Sequence, residues 1–272
     1  MEQLLSELAS SLPLPVVVLI IAGAVFLLTK GADLLVDEAV GISKRFQISP
    51  VIVGATVVSL GTTMPETAVS VLSAVQGDPG LALGNAVGSV ICNTALIIGV
   101  AAMIRPIPVD RKMLARQGAV QFGSAVLLVV LSLPFAALAT TFASGGNVSQ
   151  LTAVFFLILL AAYLYASVVW ARRTPKTAPS EDGHEEVEPA KSLGLSVLLL
   201  IVGLAMVLLA SQVLIPMVES TALRLGVPQA VVAASLVALG TSLPELVTAI
   251  TASRQGHGEL ALGNVVGANV LN

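Results

Sequence analysis

The chain has 272 residues, 56% hydrophobic and 11% charged, with a formal net charge of −3 and a mean hydropathy of +0.96. A soluble domain carries about 25% charged residues, so this composition excludes an ordinary soluble enzyme and a disordered chain. Without a basic field there is no basis for binding nucleic acid, and one cysteine excludes a disulfide framework or a cysteine-built metal site.

A lipid bilayer is the solvent that fits, and at about 20 residues per span the length holds about eight to ten helices. The first fifteen residues, MEQLLSELASSLPLP, carry Glu2 and Glu7 but no Lys or Arg, unlike a cleavable signal. Apolar runs then predict span 1 over 14–36, span 2 over 50–75, span 3 over 81–104, span 4 over 118–139 and span 5 over 151–171. A polar stretch, Arg172 to Ser192, reads as a solvated linker. Span 6 follows over 193–215, span 7 over 228–252, and span 8 from Leu260 to Asn272. The runs are long and continuous, which fits helices and not the ten-residue alternation of barrel strands. With the N-terminus outside, 11 of the 13 basic residues fall in inside loops, leaving only Lys30 within span 1 and Arg224 outside. That bias makes 172–192 cytoplasmic and the protein multi-pass in the plasma (inner) membrane.

Two stretches align without a gap. Gly54–Asn93 and Ala233–Asn272 agree at 17 of 40 positions, each pair 179 residues apart. The matches include Gly61/Gly240, Thr62/Thr241, Pro65/Pro244, Glu66/Glu245, Asn85/Asn264 and Asn93/Asn272. Coincidence of rare polar residues and proline inside apolar helices marks a duplication. Five spans separate the copies, and an odd number inverts the second copy, the plan of many secondary transporters. The halves are therefore 1–171 and 193–272, joined by 172–192.

Glu66 and Glu245 lie deep within their spans. A carboxylate at that depth faces a cavity or a partner and is functional by default. Pro65 and Pro244 each remove one helix hydrogen bond, so carbonyls near Ser59 and Ala238 can turn inward. The hydroxyls of Thr62, Thr63, Thr241 and Ser242 add oxygens on the same turns, although such hydroxyls also bond their own preceding turn. Ser89 and Asn93 are one turn apart on span 3, and Asn272 repeats Asn93 where Ala268 replaces the serine. Packing is a sufficient account of Gly84, Gly88, Gly263 and Gly267. The donor set is all oxygen, which suits hard cations such as Ca2+ or Na+. Two carboxylates match one divalent charge, or hold monovalent ions or protons. His184 and His257 read as incidental loop residues, and Cys92 as packing. A membrane enzyme is disfavoured because no nucleophile and base stand beside the glutamates. No cofactor is called for.

The segments GTTMPE with GNAVGSVICN, and GTSLPE with GNVVGANVLN, resemble the two alpha-repeats of the calcium/cation antiporter superfamily, of the bacterial sodium/calcium exchanger type. The resemblance implies an all-α polytopic membrane protein of two inverted five-helix repeats, ten helices in all. It implies four central cation sites, with Ser59 and Ala238 contributing carbonyls and Thr62, Thr63, Glu66, Ser89, Asn93, Thr241, Ser242 and Glu245 side chains. Spans 1 and 6 would slide as a pair, with Asp33 and Gln212 at matching positions. Ala268 and Asn272 depart from the Ser and Asp often found there, which weakens the expectation of Na+ coupling relative to Ca2+ binding. The implied function is exchange of Ca2+ for Na+, with Ca2+/H+ or another cation/proton exchange as the alternative and a non-transporting scaffold a distant third. Inorganic cations and the bilayer would be the partners. Because the first copy continues beyond Asn93 and the second stops at Asn272, about seven and a half helices are expected here and the chain reads as C-terminally truncated.

Overall fold

A computed structural model describes residues 2–109, 111–133, 146–173, 192–228 and 238–272. Among them every regular element is helical. In chain order these are α1 (Glu2–Ser11), α2 (Leu14–Phe46), α3 (Pro50–Thr62), α4 (Met64–Val75), α5 (Pro79–Ile104), α6 (Arg111–Ser132), α7 (Gln150–Arg173), α8 (Leu193–Arg224), α9 (Ala238–Gly240), α10 (Leu243–Arg254) and α11 (Gly258–Leu271). Five of them are long and apolar enough to cross a membrane: α2, α5, α8 and the stretches Ala115–Ser132 and Gln150–Ser167. Their outward faces are apolar, with Leu19, Phe26, Phe122 and Leu151 all exposed. In water that surface would be untenable, whereas lipid accepts it.

Helices occupy the described parts of the spans expected from hydropathy, with informative differences; the end of span 4, 134–139, lies outside the described residues. Span 1 reaches Phe46 and span 6 reaches Arg224, well past the predicted ends at 36 and 215. At 33 and 32 residues these helices are about 50 Å long, more than the hydrocarbon thickness. The extra turns carry Asp37, Glu38, Lys44 and Arg45 in one and Glu219 and Arg224 in the other, so hydropathy stops where the helix does not. Span 4 begins at Arg111, seven residues before its predicted start, because Lys112, Arg116 and Gln117 hide a helical turn from an apolar scan. The N-terminal residues form α1, an element not anticipated. The Arg224 guanidinium holds it down by donating to the Leu12 carbonyl at 2.7 Å and to the Ala9 carbonyl. The linker at 174–191, with His184, and the first part of span 7, 229–237, lie outside the described residues.

The largest contact is α2 against α8. Each presents a stripe of buried residues at helical spacing: Ala24, Leu28, Ala32 and Leu35 on one, Gly203, Val207, Ala210 and Leu214 on the other. Glycine sets their closest approach. A Cβ on Gly31 would stand 2.7 Å from the Met206 Cβ, and one on Gly203 would stand 2.8 Å from the Leu35 backbone nitrogen. Small residues let backbones meet in this way where there is no hydrophobic drive between spans. A second core joins α2, α3, α5, α10 and α11 around Leu35, Val53, Ile97 and Leu260.

The duplication read from the signature segments extends over whole helices. Elements α2 and α8 begin at Leu14 and Leu193, α4 and α10 at Met64 and Leu243, and α5 and α11 at Pro79 and Gly258. Each pair is separated by the offset of 179 read from the two signature segments. Matching turns at Gly77 and Gly256 share φ of +85° and +87°.

Candidate functional site

Span 2, expected as one run over 50–75, is two helices. The chain leaves helical geometry at Thr63 (φ −81°, ψ 2°) and restarts at Met64. Ser242 does the same (φ −87°, ψ 8°) before Leu243. The cause is local: Pro65 and Pro244 have no N–H to return to Gly61 and Gly240, and proline is welcome in the first helical turn. Glu66 and Glu245 thereby stand in the first turn of a new half-helix, where the positive end of the helix dipole favours negative charge.

The two glutamates are 1% and 0% exposed. Each is held by the other half of the molecule. Ser242 donates its hydroxyl to Glu66 Oε1 at 3.0 Å, and Thr63 donates to Glu245 Oε1 at 3.0 Å. These residues are themselves a repeat pair, so the contact is reciprocal. Oε2 of each glutamate has no hydrogen-bond partner among the described residues. Buried carboxylate oxygens without partners are costly and call for an explanation.

The remaining predicted residues distribute as follows. Ser59, Thr62, Ser89 and Asn93 are buried, and neither side-chain polar atom of Asn93 has a partner among the described residues. Helix α5 reaches Glu66 through Asn85, which donates to its backbone carbonyl, and Cys92, beside Asn93, is half-buried. Its packing against the core matches the structural reading of this thiol. Thr241 is half-buried next to Ser242, and Asn272 is half-buried at the end of α11. Ala238 contributes backbone in α9. The Ser59 carbonyl is less free than expected: it accepts the Thr63 amide at 3.0 Å, with the Thr62 hydroxyl at 3.5 Å, which leaves it at most one open lone pair. Of the four signature hydroxyls, Thr63 and Ser242 reach across to carboxylates and do not merely bond their own turn. His257 precedes α11 as its N-cap residue. Asp33 pairs with Lys30 at 3.6 Å, and Gln212 is exposed.

Two features escaped the sequence. The turns Gly54–Val58 and Cys92–Ile97 are π-helical, a widening common at functional sites, and no residue pattern announces it. The second is a set of asparagine contacts. Asn85 donates to the Glu66 carbonyl at 3.1 Å and to Ser70 Oγ at 3.0 Å, Thr62 donates to Asn264 Oδ1 at 3.2 Å, and Asn269 donates to Thr94 Oγ1 at 2.9 Å. The repeated Gly-Asn was the available signal for the first two. Asn269 aligns with Val90, so the repeat gave none for it. Among the described residues no three His, Cys, Asp or Glu cluster as a resident metal site would require, so the polar centre is two carboxylates amid hydroxyls and amides.

Broken spans with half-helix ends meeting at buried carboxylates, in two inverted repeats, define a polytopic secondary transporter. Known proteins carry the assignment further: the sequence pattern of the sodium/calcium exchanger protein family matches residues 16–169 and 195–272, and the chain belongs to that family. It is 31% identical over 277 residues to the sodium/calcium exchanger MaX1 of Methanosarcina acetivorans, covering 93% of this chain and 79% of that one. It is 33% identical over 257 residues to the inner membrane protein YrbG of Escherichia coli, covering 93% and 75%. The solved sodium-calcium exchanger NCX_Mj, soaked with 10 mM Na+ and no Ca2+, superposes with a TM-score of 0.77 at 30% identity, covering 95% of this chain and 79% of that one. The chain is thus an integral membrane cation antiporter with the exchanger fold, from a family of transporters and not of enzymes.

Proposed function

We propose that the protein exchanges Ca2+ for Na+ by alternating access at the Glu66–Glu245 pair. The observation that carries this reading is the reciprocal tie: each buried carboxylate takes one hydroxyl from the opposite half and keeps one oxygen without a protein partner. Two carboxylates compensate one divalent charge, and the donors around them are hard oxygens of the kind Ca2+ and Na+ prefer. In this reading Thr62, Thr63, Ser89, Asn93, Thr241, Ser242 and Asn272 supply side-chain oxygens, and Ser59 and Ala238 supply carbonyls. The α2–α8 pair packs beside this centre and moves across it to expose it to either side. Inorganic cations are the substrates, the plasma membrane is the setting, and the basic loops face the cytoplasm.

Everted vesicles carrying the protein should accumulate radiolabelled Ca2+ when an outward Na+ gradient is imposed. Glu66→Gln and Glu245→Gln should each abolish that uptake. Uptake driven by a pH gradient and indifferent to Na+ would reassign the protein to cation/proton exchange, a result that Ala268 and Asn272 would help explain. Undiminished flux in both variants would overturn the site.

A further inference from the structure

Each repeat carries a Gly-Asn pair, Gly84-Asn85 and Gly263-Asn264. In the second copy, a Cβ on Gly263 would stand 2.1 Å from the Val51 carbonyl oxygen, and one on Gly267 would stand 2.5 Å from Ser59 Oγ. Helix α11 therefore lies backbone to backbone on α3. Asn264, between those glycines, is driven into the contact, and its Oδ1 meets the Thr62 hydroxyl at 3.2 Å. Both residues are fully buried. Asn264 Nδ2 has no partner among the described residues, so this side chain is poorly suited to be a mere spacer, for which alanine or valine would cost less.

The contact has a chemical consequence. Thr62 has one proton to donate and two lone pairs to offer. Two acceptors compete for that hydrogen bond: the Ser59 carbonyl at 3.5 Å and Asn264 Oδ1 at 3.2 Å. If the hydroxyl donates to Ser59, Thr62 caps the very carbonyl expected to face a cation. If it donates to Asn264, a neutral amide accepts the bond, and the Thr62 oxygen keeps its lone pairs while the Ser59 carbonyl is relieved of a second donor.

We infer that Asn264 is a positioning residue of the cation site: it takes the Thr62 hydroxyl proton from across the repeat interface and so aims the Thr62 oxygen at the cation. The inference rests on the site reading above, in which Thr62 is a ligand. The equivalent residue does different work, since Asn85 ties α5 to the Glu66 carbonyl and to Ser70, within its own half. The Ser70 equivalent in the second copy is Ala249, which leaves Asn264 no such anchor and frees it for the cross-repeat contact.

The test is Ca2+ half-saturation, measured on the purified full chain in lipid nanodiscs together with thermal stability. Thr62→Val should weaken Ca2+ about tenfold and Asn264→Ala about three- to tenfold, the scale of one hydrogen-bonded ligand group. The double variant should be no weaker than Thr62→Val alone, because Asn264 acts only through Thr62. Asn264→Ser, which restores an acceptor oxygen in a small side chain, should recover part of the loss and serves if the alanine variant does not fold. Multiplied effects in the double variant, unchanged half-saturation in Asn264→Ala with Thr62→Val impaired, or a loss in Asn264→Ser as large as that in Thr62→Val, would overturn the positioning role and leave the site standing. Unchanged binding in Thr62→Val would overturn the ligand reading itself, and the inference with it.

Discussion

The α4–α5 hairpin of the first repeat and the α10–α11 hairpin of the second have matching boundaries and matching turns, yet live in different surroundings. Along α11, Leu260, Ala261 and everything from Gly263 to Asn269 is buried. Along the matching part of α5, Leu81, Leu83, Gly84, Val87, Gly88 and Ile91 are exposed, and among the described residues nothing stands within 4 Å of a Cβ placed on Gly84 or Gly88. Both motifs dictate the same local shape, and in the second the neighbour also requires glycine. At Gly263 and Gly267 the neighbour is the α3 backbone, and no side chain fits between.

That contrast is sharpest under substitution. Gly263→Ala and Gly267→Ala should each destabilise the protein by about 1–3 kcal/mol or more, since their Cβ atoms would strike backbone that cannot step aside. Gly84 and Gly88 meet no such backbone among the described residues, so Gly84→Ala and Gly88→Ala should cost less than these. Thermal unfolding in detergent reads both. Equal losses at the four positions would break the comparison by revealing a packed first hairpin.

At the carboxylates the two halves are alike, so the expected effects are smaller and paired. Thr63→Val and Ser242→Ala each remove the one hydroxyl that reaches across to a glutamate. Each should weaken Ca2+ by about three- to tenfold, the scale of one net hydrogen bond. Comparable losses in a binding titration would establish the exchange of hydroxyls as symmetric. A loss confined to one variant would show that a single repeat carries the site.

The buried polar centre was more legible than the boundaries of the helices that hold it. Glu66, Glu245 and the flanking prolines announced themselves because carboxylates and proline are costly inside apolar spans and recur at a fixed offset. The same prolines marked a bend, but hydropathy averages across a single non-helical residue, so the break at Thr63 was read as one continuous span. The ends of α2 and α8 were lost for a related reason: hydropathy measures where lipid is, and these helices continue beyond it. Asn264 was visible in the repeat but its partner was not, because Thr62 is 202 residues away and the contact exists only once α3 and α11 cross.

The smallest effect lies at the ends of the paired long helices, where the repeats differ in the residue that makes the left-handed turn. The residue after α2 is Gln47, in the left-handed region at φ 55°, and its equivalent after α8 is Gly226, at φ 84°. Both close the helix in the same way: the following amide returns to a carbonyl five residues back, Ile48 to Ser43 and Val227 to Ala222, each at 3.0 Å. A glycine adopts this conformation freely, whereas a glutamine pays about 1 kcal/mol in contact between its Cβ and the backbone. Gln47→Gly should therefore stabilise the protein by up to about 1 kcal/mol, and Gly226→Gln should cost about the same. The changes oppose one another across the repeat, so the double exchange should leave thermal stability near that of the parent. A net loss in the exchanged protein would mean that the Gln47 side chain makes a contact of its own, and that the two helix ends, alike in backbone, are held differently.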